Sequence, residues 1–157
     1  MTVFGNPKAR FGSVSMVTSS LGANDPEVGT VCREGDEEYI FVYNAGSSTV
    51  GIGYGCIVSG VSGYSVTVSS VTDVDNCVGV CRHASIPAGS YGWLVTRGFV
   101  QVQMGADNSA AAGNLLSLGT DGVFAKKTAT TGAAPAAGKA MAAIASGASG
   151  TAFISVF

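Results

Sequence analysis

The sequence predicts an all-β protein: a single sandwich or barrel-like domain of about nine or ten short strands, with an extended N-terminal arm. Three observations carry this expectation. Short runs of Val, Ile, Tyr, Phe and Thr recur along the chain, and clusters of Gly, Asn, Asp and Ser bound nearly all of them. No apolar pattern of helical period lasts more than a turn or two. The 157 residues suit one domain with a real core. A chain near this size buries roughly two thirds of its unfolded surface.

Residues 1–26 read as the arm and 27–157 as the β domain. The arm holds one β-prone piece, "GSVSMVTSS", among Gly, Asn, Pro and Ser. "EEYIFVYNAG" follows, and its unbroken β-formers Tyr39 to Tyr43 suit a strand buried on both faces. "STVGIGYGCIVSG" alternates, with Val50, Ile52, Tyr54 and Cys56 on one expected face and glycines on the other. A glycine face leaves room for another backbone or a bulky aromatic to lie close. "GYSVTVSSV" and "CVGVCRHA" are the next strands. "IPAGSYGWLVTRGFVQVQMG" reads as a turn and two strands meeting at Gly98. In the second, Val100, Val102 and Met104 point inward, and Phe99, Gln101 and Gln103 outward.

"ADNSAAAGNLL" has room for one helical turn, capped by Asp107 or Ser109 and stopped at Gly113. "NLLSLGTDGVFAKKT" reads as a hairpin, with Asp121-Gly122 as its turn signal. "TATTGAAPAAGKA" reads as a loop. "KAMAAIAS" is too short for an independent helix and is read as a strand. "GTAFISVF" makes a closing strand. No repeat of fixed period is apparent.

Charged residues make up 11% of the chain and the net charge is −2. Ordinary domains carry about a quarter. Nucleic acid is not an expected partner, because phosphate neutralisation needs clustered Lys and Arg. No run reaches the ~18 apolar residues of a membrane span, and "MTVFGNPKARFG" lacks the apolar core of a secretory leader. Synthesis in a cytoplasm is expected. Cys32, Cys56, Cys77 and Cys81 are then expected to be free, small and buried. Cys77 and Cys81 would share one strand face.

Candidate chemistry is sparse. Cys81 and His83, two apart on one strand, offer a thiol–imidazole pair without a third orienting group. "TDVDN" resembles half a calcium loop but lacks its glycine and late glutamate. Tyr54, Tyr64, Tyr91 and Trp93 could stack on sugars or fill a β core equally well. No catalytic set, metal site or cofactor is expected, so the chain is not expected to be an enzyme.

The order of motifs from Ser85 to Phe157 resembles small structural proteins of tailed-bacteriophage heads, the capsid decoration or cement proteins. In those, a "G-x-x-G-W-V-x-x-x-G-x-V" stretch leads into an "A-G-x-x-L-x-x-G-x-D-G" hairpin, then an Ala/Gly-rich loop, a "G-K-A-x-A-A-x-A-x-G" segment and an apolar terminal strand. The corresponding positions here are Gly89, Gly92, Trp93, Gly98 and Val100, then Gly113, Leu116, Gly119 and Gly122, then Gly138 to Phe157. The resemblance implies a non-enzymatic virion protein on the outer capsid surface. It would staple neighbouring capsomers, with the major capsid protein and its own copies, as a homotrimer, for partners. The alternative is a head-fibre base or receptor-binding module.

On this reading the arm residues Val3, Phe4, Arg10, Phe11, Val14 and Met16 would contact the capsid by strand addition. Tyr91, Trp93, Phe99, Phe153 and Phe157 would anchor the core or the subunit interface.

Overall fold

The computed structural model describes residues 3–4, 14–23, 25–59, 64–68, 77–128 and 136–156. Arg10, Phe11, Phe157, the Asp73–Asn76 turn and most of the Ala/Gly-rich loop lie outside the described residues. The chain is all-β, as the sequence predicts. Among the described residues eleven strands run in order: β1 Val3–Phe4, β2 Val31–Glu34, β3 Glu37–Asn44, β4 Gly55–Val58, β5 Ser65–Thr67, β6 Cys77–Cys81, β7 Tyr91–Gln103, β8 Leu115–Leu118, β9 Phe124–Lys126, β10 Gly138–Ala140 and β11 Ser149–Ser155.

The pairings close two five-stranded barrels. In the first, β3 pairs with β5, β5 with β4, β4 with β6, β6 with β7, and β7 returns to β3. In the second, β7 pairs with β11, β11 with β10, β10 with β8, and β8 with β9. A Met104–Phe124 bridge closes that ring. Each ring has its own interior, and the single bridge that joins the second leaves part of β7 with an open edge. Ile40, Val42, Val50, Cys56, Val66, Ile86 and Leu94 are among the residues that fill the first. Val100, Val102, Leu116, Leu118, Phe124, Ile144 and Ile154 are among those that fill the second.

The barrels are tandem copies sharing β7. Val42 pairs with Gly92 in the first, and Val102 with Gly150 in the second. Val80 pairs with Val95, and Lys139 with Phe153. The loops match bond for bond. Val50 and Ile86 exchange two backbone hydrogen bonds, as do Ala110 and Ile144; Gly53 donates to the carbonyl of Cys81, and Gly113 to that of Ala140. Gly53 and Gly113 both sit at φ 85°, and Gly89 and Gly147 at 71° and 67°. The step between copies drifts from 60 residues (Val42 to Val102) to 58 (Gly92 to Gly150). That drift, with few identities beyond the glycines, is why no fixed period shows in the sequence.

Several local expectations change. β7 is one continuous strand of 13 residues. Gly98, at φ 135°, re-aims it from the first barrel into the second instead of joining two strands. Ile52 does not share a face with Val50 and Cys56, because residues 52–53 turn; it is 50% exposed, whereas Val50 and Cys56 are buried. Cys77 and Cys81 do not share a face either. The register slips at Cys56/Ile57, opposite Cys77–Gly79, leaving Val78 as an extra residue. A one-residue bulge reverses every later side chain. Cys77 accordingly packs on the second core and Cys81 in the first.

No helical turn forms over 105–113; its backbone is drawn into the Ala110–Ile144 bridge, with turns at 106–107 and 112–113. The strand read over "KAMAAIAS" shrinks to Gly138–Ala140. The expected glycine face is real where it matters. A Cβ on Gly55 would lie 2.5 Å from the Leu118 side chain and 3.1 Å from the Phe124 ring. Gly55 is thus where the second barrel packs on the first.

Candidate interaction surface

The outer faces of the two barrels carry different chemistry at equivalent positions. On the first, Tyr39, Phe41, Trp93 and Val95 form a third buried cluster with Val14 and Cys32. Phe41 and Trp93 rings sit 5.0 Å apart, and Tyr91 stacks 6.2 Å from Phe41. Residues before β2 cover this cluster. Val14 is 5% exposed, Met16 packs against the same group, and Thr18 exchanges two backbone hydrogen bonds with Tyr91.

Val14 is therefore spent on the chain's own core, which leaves little of it for a partner. Val3 and Phe4 form β1, parallel to β2, with Val3 opposite Val31 and Phe4 opposite Cys32. Trp93 is core; its indole N–H has no acceptor among the described residues.

On the second barrel, Phe99 takes the place of Tyr39, Gln101 that of Phe41, and Phe153 that of Val95. Phe99 is 51% exposed and meets Phe153 edge-on at 5.2 Å. Phe99 thus belongs to an open face, not to the core. The polar end of this face satisfies itself. Gln101 donates to the Thr151 hydroxyl (3.1 Å), Ser149 to Gln103 Oε1 (2.7 Å) and Gln103 to the Gly147 carbonyl (2.8 Å).

Between the barrels lies a charged cluster that the sequence did not reveal, since its members come from β3 and the end of β6. Arg82 forms an ion pair with Glu37. The Tyr39 hydroxyl donates to Glu37 (2.5 Å) and accepts from Arg82 Nη1 (3.3 Å). His83 Nε2 lies 3.2 Å from that hydroxyl, with its ring stacked on Tyr39. Burial opposes ionisation of Glu37, but hydrogen bonds from Arg82 and Tyr39 and the guanidinium charge hold its carboxyl below the usual range. Burial first, and then the bond to Glu37, push the Tyr39 hydroxyl up.

His83 is thereby turned toward Tyr39, while the Cys81 thiol donates to the Ala84 carbonyl (3.1 Å). Burial raises that thiol to about 11. Burial and the bond to Ala84 both keep this thiol in its protonated form. All four cysteines are free. The remaining aromatic candidates are dispersed. Tyr54 lines a cleft of about 770 Å³ with Asp107, Asn108, Asp121 and Lys126. Tyr64 lies over Gly29.

No family model and no curated protein matches the sequence. A solved structure does resemble the fold: the head fiber gp8.5 N base of bacteriophage phi29, with a TM-score of 0.54 and 17% identity, covering 75% of this chain and 95% of that one. At that identity the likeness is one of fold. It spans nearly all of the neighbour's chain.

Proposed function

We propose that this protein is a non-enzymatic structural component of a bacteriophage virion, bound to the outer surface of the assembled capsid. The observation that carries this reading is the fold shared with a phage head-fibre base over nearly that whole chain. The motif order from Ser85 to Phe157 points to the same class of particle independently. In the finer reading the chain is a decoration protein, a homotrimer that staples neighbouring capsomers. Weak contacts per subunit would then add through effective concentration. The fold likeness favours a second reading, in which the chain is the base that anchors a fibre to the head.

Both readings place the major capsid protein opposite this chain. Val3, Phe4, Arg10, Phe11 and Met16 are the contacts we assign to it. Co-sedimentation with assembled shells tests the shared claim. Saturable binding to shells, absent with unassembled capsid protein, is expected; a protein that stays in the supernatant at every concentration overturns it.

A further inference from the structure

The tandem barrels differ along one strand edge. In the first, β2 takes the outward backbone groups of β3. Cys32 pairs with Tyr39; Phe41 donates to the Thr30 carbonyl (2.9 Å), and Gly29 donates to the Phe41 carbonyl (2.7 Å). In the second, Phe99 and Gln101 hold the places of Tyr39 and Phe41. Among the described residues, the ladder partner of Gly98 to Gln103 is β11. The Gly53 carbonyl takes the Gln103 amide (2.9 Å), as the Tyr64 carbonyl takes that of Tyr43 (3.2 Å). No described segment stands where β2 stands.

The cause is topological. The chain reaches β3 through a hairpin from β2, but reaches the second barrel straight along β7, so no preceding strand turns back beside it. A cleft of about 470 Å³ lies there, lined by Ile52, Arg82, His83, Phe99, Gln101 and Thr151. Ile52 and Phe99 are half exposed on its walls.

We propose that this cleft accepts an extended strand of a partner protein, hydrogen-bonded to the backbone of Phe99 and Gln101, with a small apolar side chain against Phe99. The template for the occupant is β2 itself, whose Cys32 is fully buried in the cluster around Tyr39. An unpaired strand edge presents a row of donors and acceptors, and a partner strand satisfies them with main-chain bonds while side-chain pockets select its sequence. This inference rests on the comparison of the two barrels and stands apart from the virion reading.

The test uses the full chain, 15N-labelled, titrated under reducing conditions with a synthetic peptide of residues 27–36. Saturable shifts at the amides of Phe99 and Gln101, with none from a scrambled peptide, are expected. Gln101→Pro removes an outward N–H but also the side-chain bond to Thr151 of β11, so Gln101→Ala, which loses the side-chain bond alone, is its reference. Relative to Gln101→Ala it should weaken the peptide by about tenfold while staying folded. Phe99→Asp should weaken it too. The proposal is overturned if the peptide produces no shift at millimolar concentration, or if Gln101→Pro, still folded, binds it equally well. It is also overturned if the free chain is a dimer that Gln101→Pro dissociates, for the edge then serves a second copy.

Discussion

Phe41 and Phe99 show how far one residue type can differ in role. Phe41 is fully buried between Trp93 and Tyr91, and Phe99 is half exposed. Phe41→Ala should cost about 3–5 kcal/mol, the usual range for a buried aromatic truncated to alanine. Phe99→Ala should cost about 1 kcal/mol or less. Urea melts of both variants check the difference. The alternation of Phe99 with Val100 was legible in the sequence, and so was the inward set Val100, Val102 and Met104. That Phe99 would lack a cover was not, because exposure depends on what precedes β7 in space.

The Glu37–Arg82–Tyr39 cluster was equally hidden, because Arg82 lies more than 40 positions from the other two. Its carboxyl titrates lower folded than unfolded. Its contribution to stability is therefore present above the unfolded pKa near 4.3 and lost as pH falls through the folded value. Glu37→Gln should flatten that acid limb of the stability profile and leave the limb above pH 6 parallel to the parent. Thermal melts across that range read it out.

At the scale of elements, glycines place the strands. A Cβ on Gly79 would lie 2.7 Å from the Val95 carbonyl oxygen, and one on Gly138 2.5 Å from that of Phe153. These positions are equivalent in the two barrels, and backbone cannot yield as a side-chain tip can. Gly79→Ala and Gly138→Ala should each destabilise by about 1–3 kcal/mol, by like amounts, in equilibrium unfolding. Strand identity was readable for β3, β5, β6 and β11, where β-formers run between turn residues. The length of β7 was not, because Arg97-Gly98 looks like a turn locally and only pairing on both sides keeps the strand continuous.

Burial within elements also protects the thiols. Cys32 and Cys77 are each pushed up to about 12, chiefly by burial. Iodoacetamide at pH 8 should leave all four cysteines largely unmodified in the folded chain and label all four in denaturant, as counted by mass spectrometry.

At the scale of the molecule, two barrels on one strand explain why a chain with few charges still folds as one body. The second barrel uses the first as a wall: Val80 of β6 is a member of the second core, and Phe124 fills the space over Gly55. The doubling escaped the sequence because the copies keep glycines, turn spacing and a few core residues such as Ile86 and Ile144, while exchanging many others, as in Cys56 for Leu116 or Leu94 for Ala152. The N-terminal segment divides at Val14. Removing residues 1–13 should keep the fold and reduce shell binding. Removing 1–26 should also uncover Phe41 and Trp93 and lower Tm, which circular dichroism would register.

The central claim, a structural protein on the outside of a phage head, is tested most directly by quantitative mass spectrometry of gradient-purified particles. The account predicts this chain at a fixed ratio to the major capsid protein, between about one to three and one to one if it decorates every equivalent position, and lower if it anchors fibres at a subset. Its absence from purified particles would contradict the account.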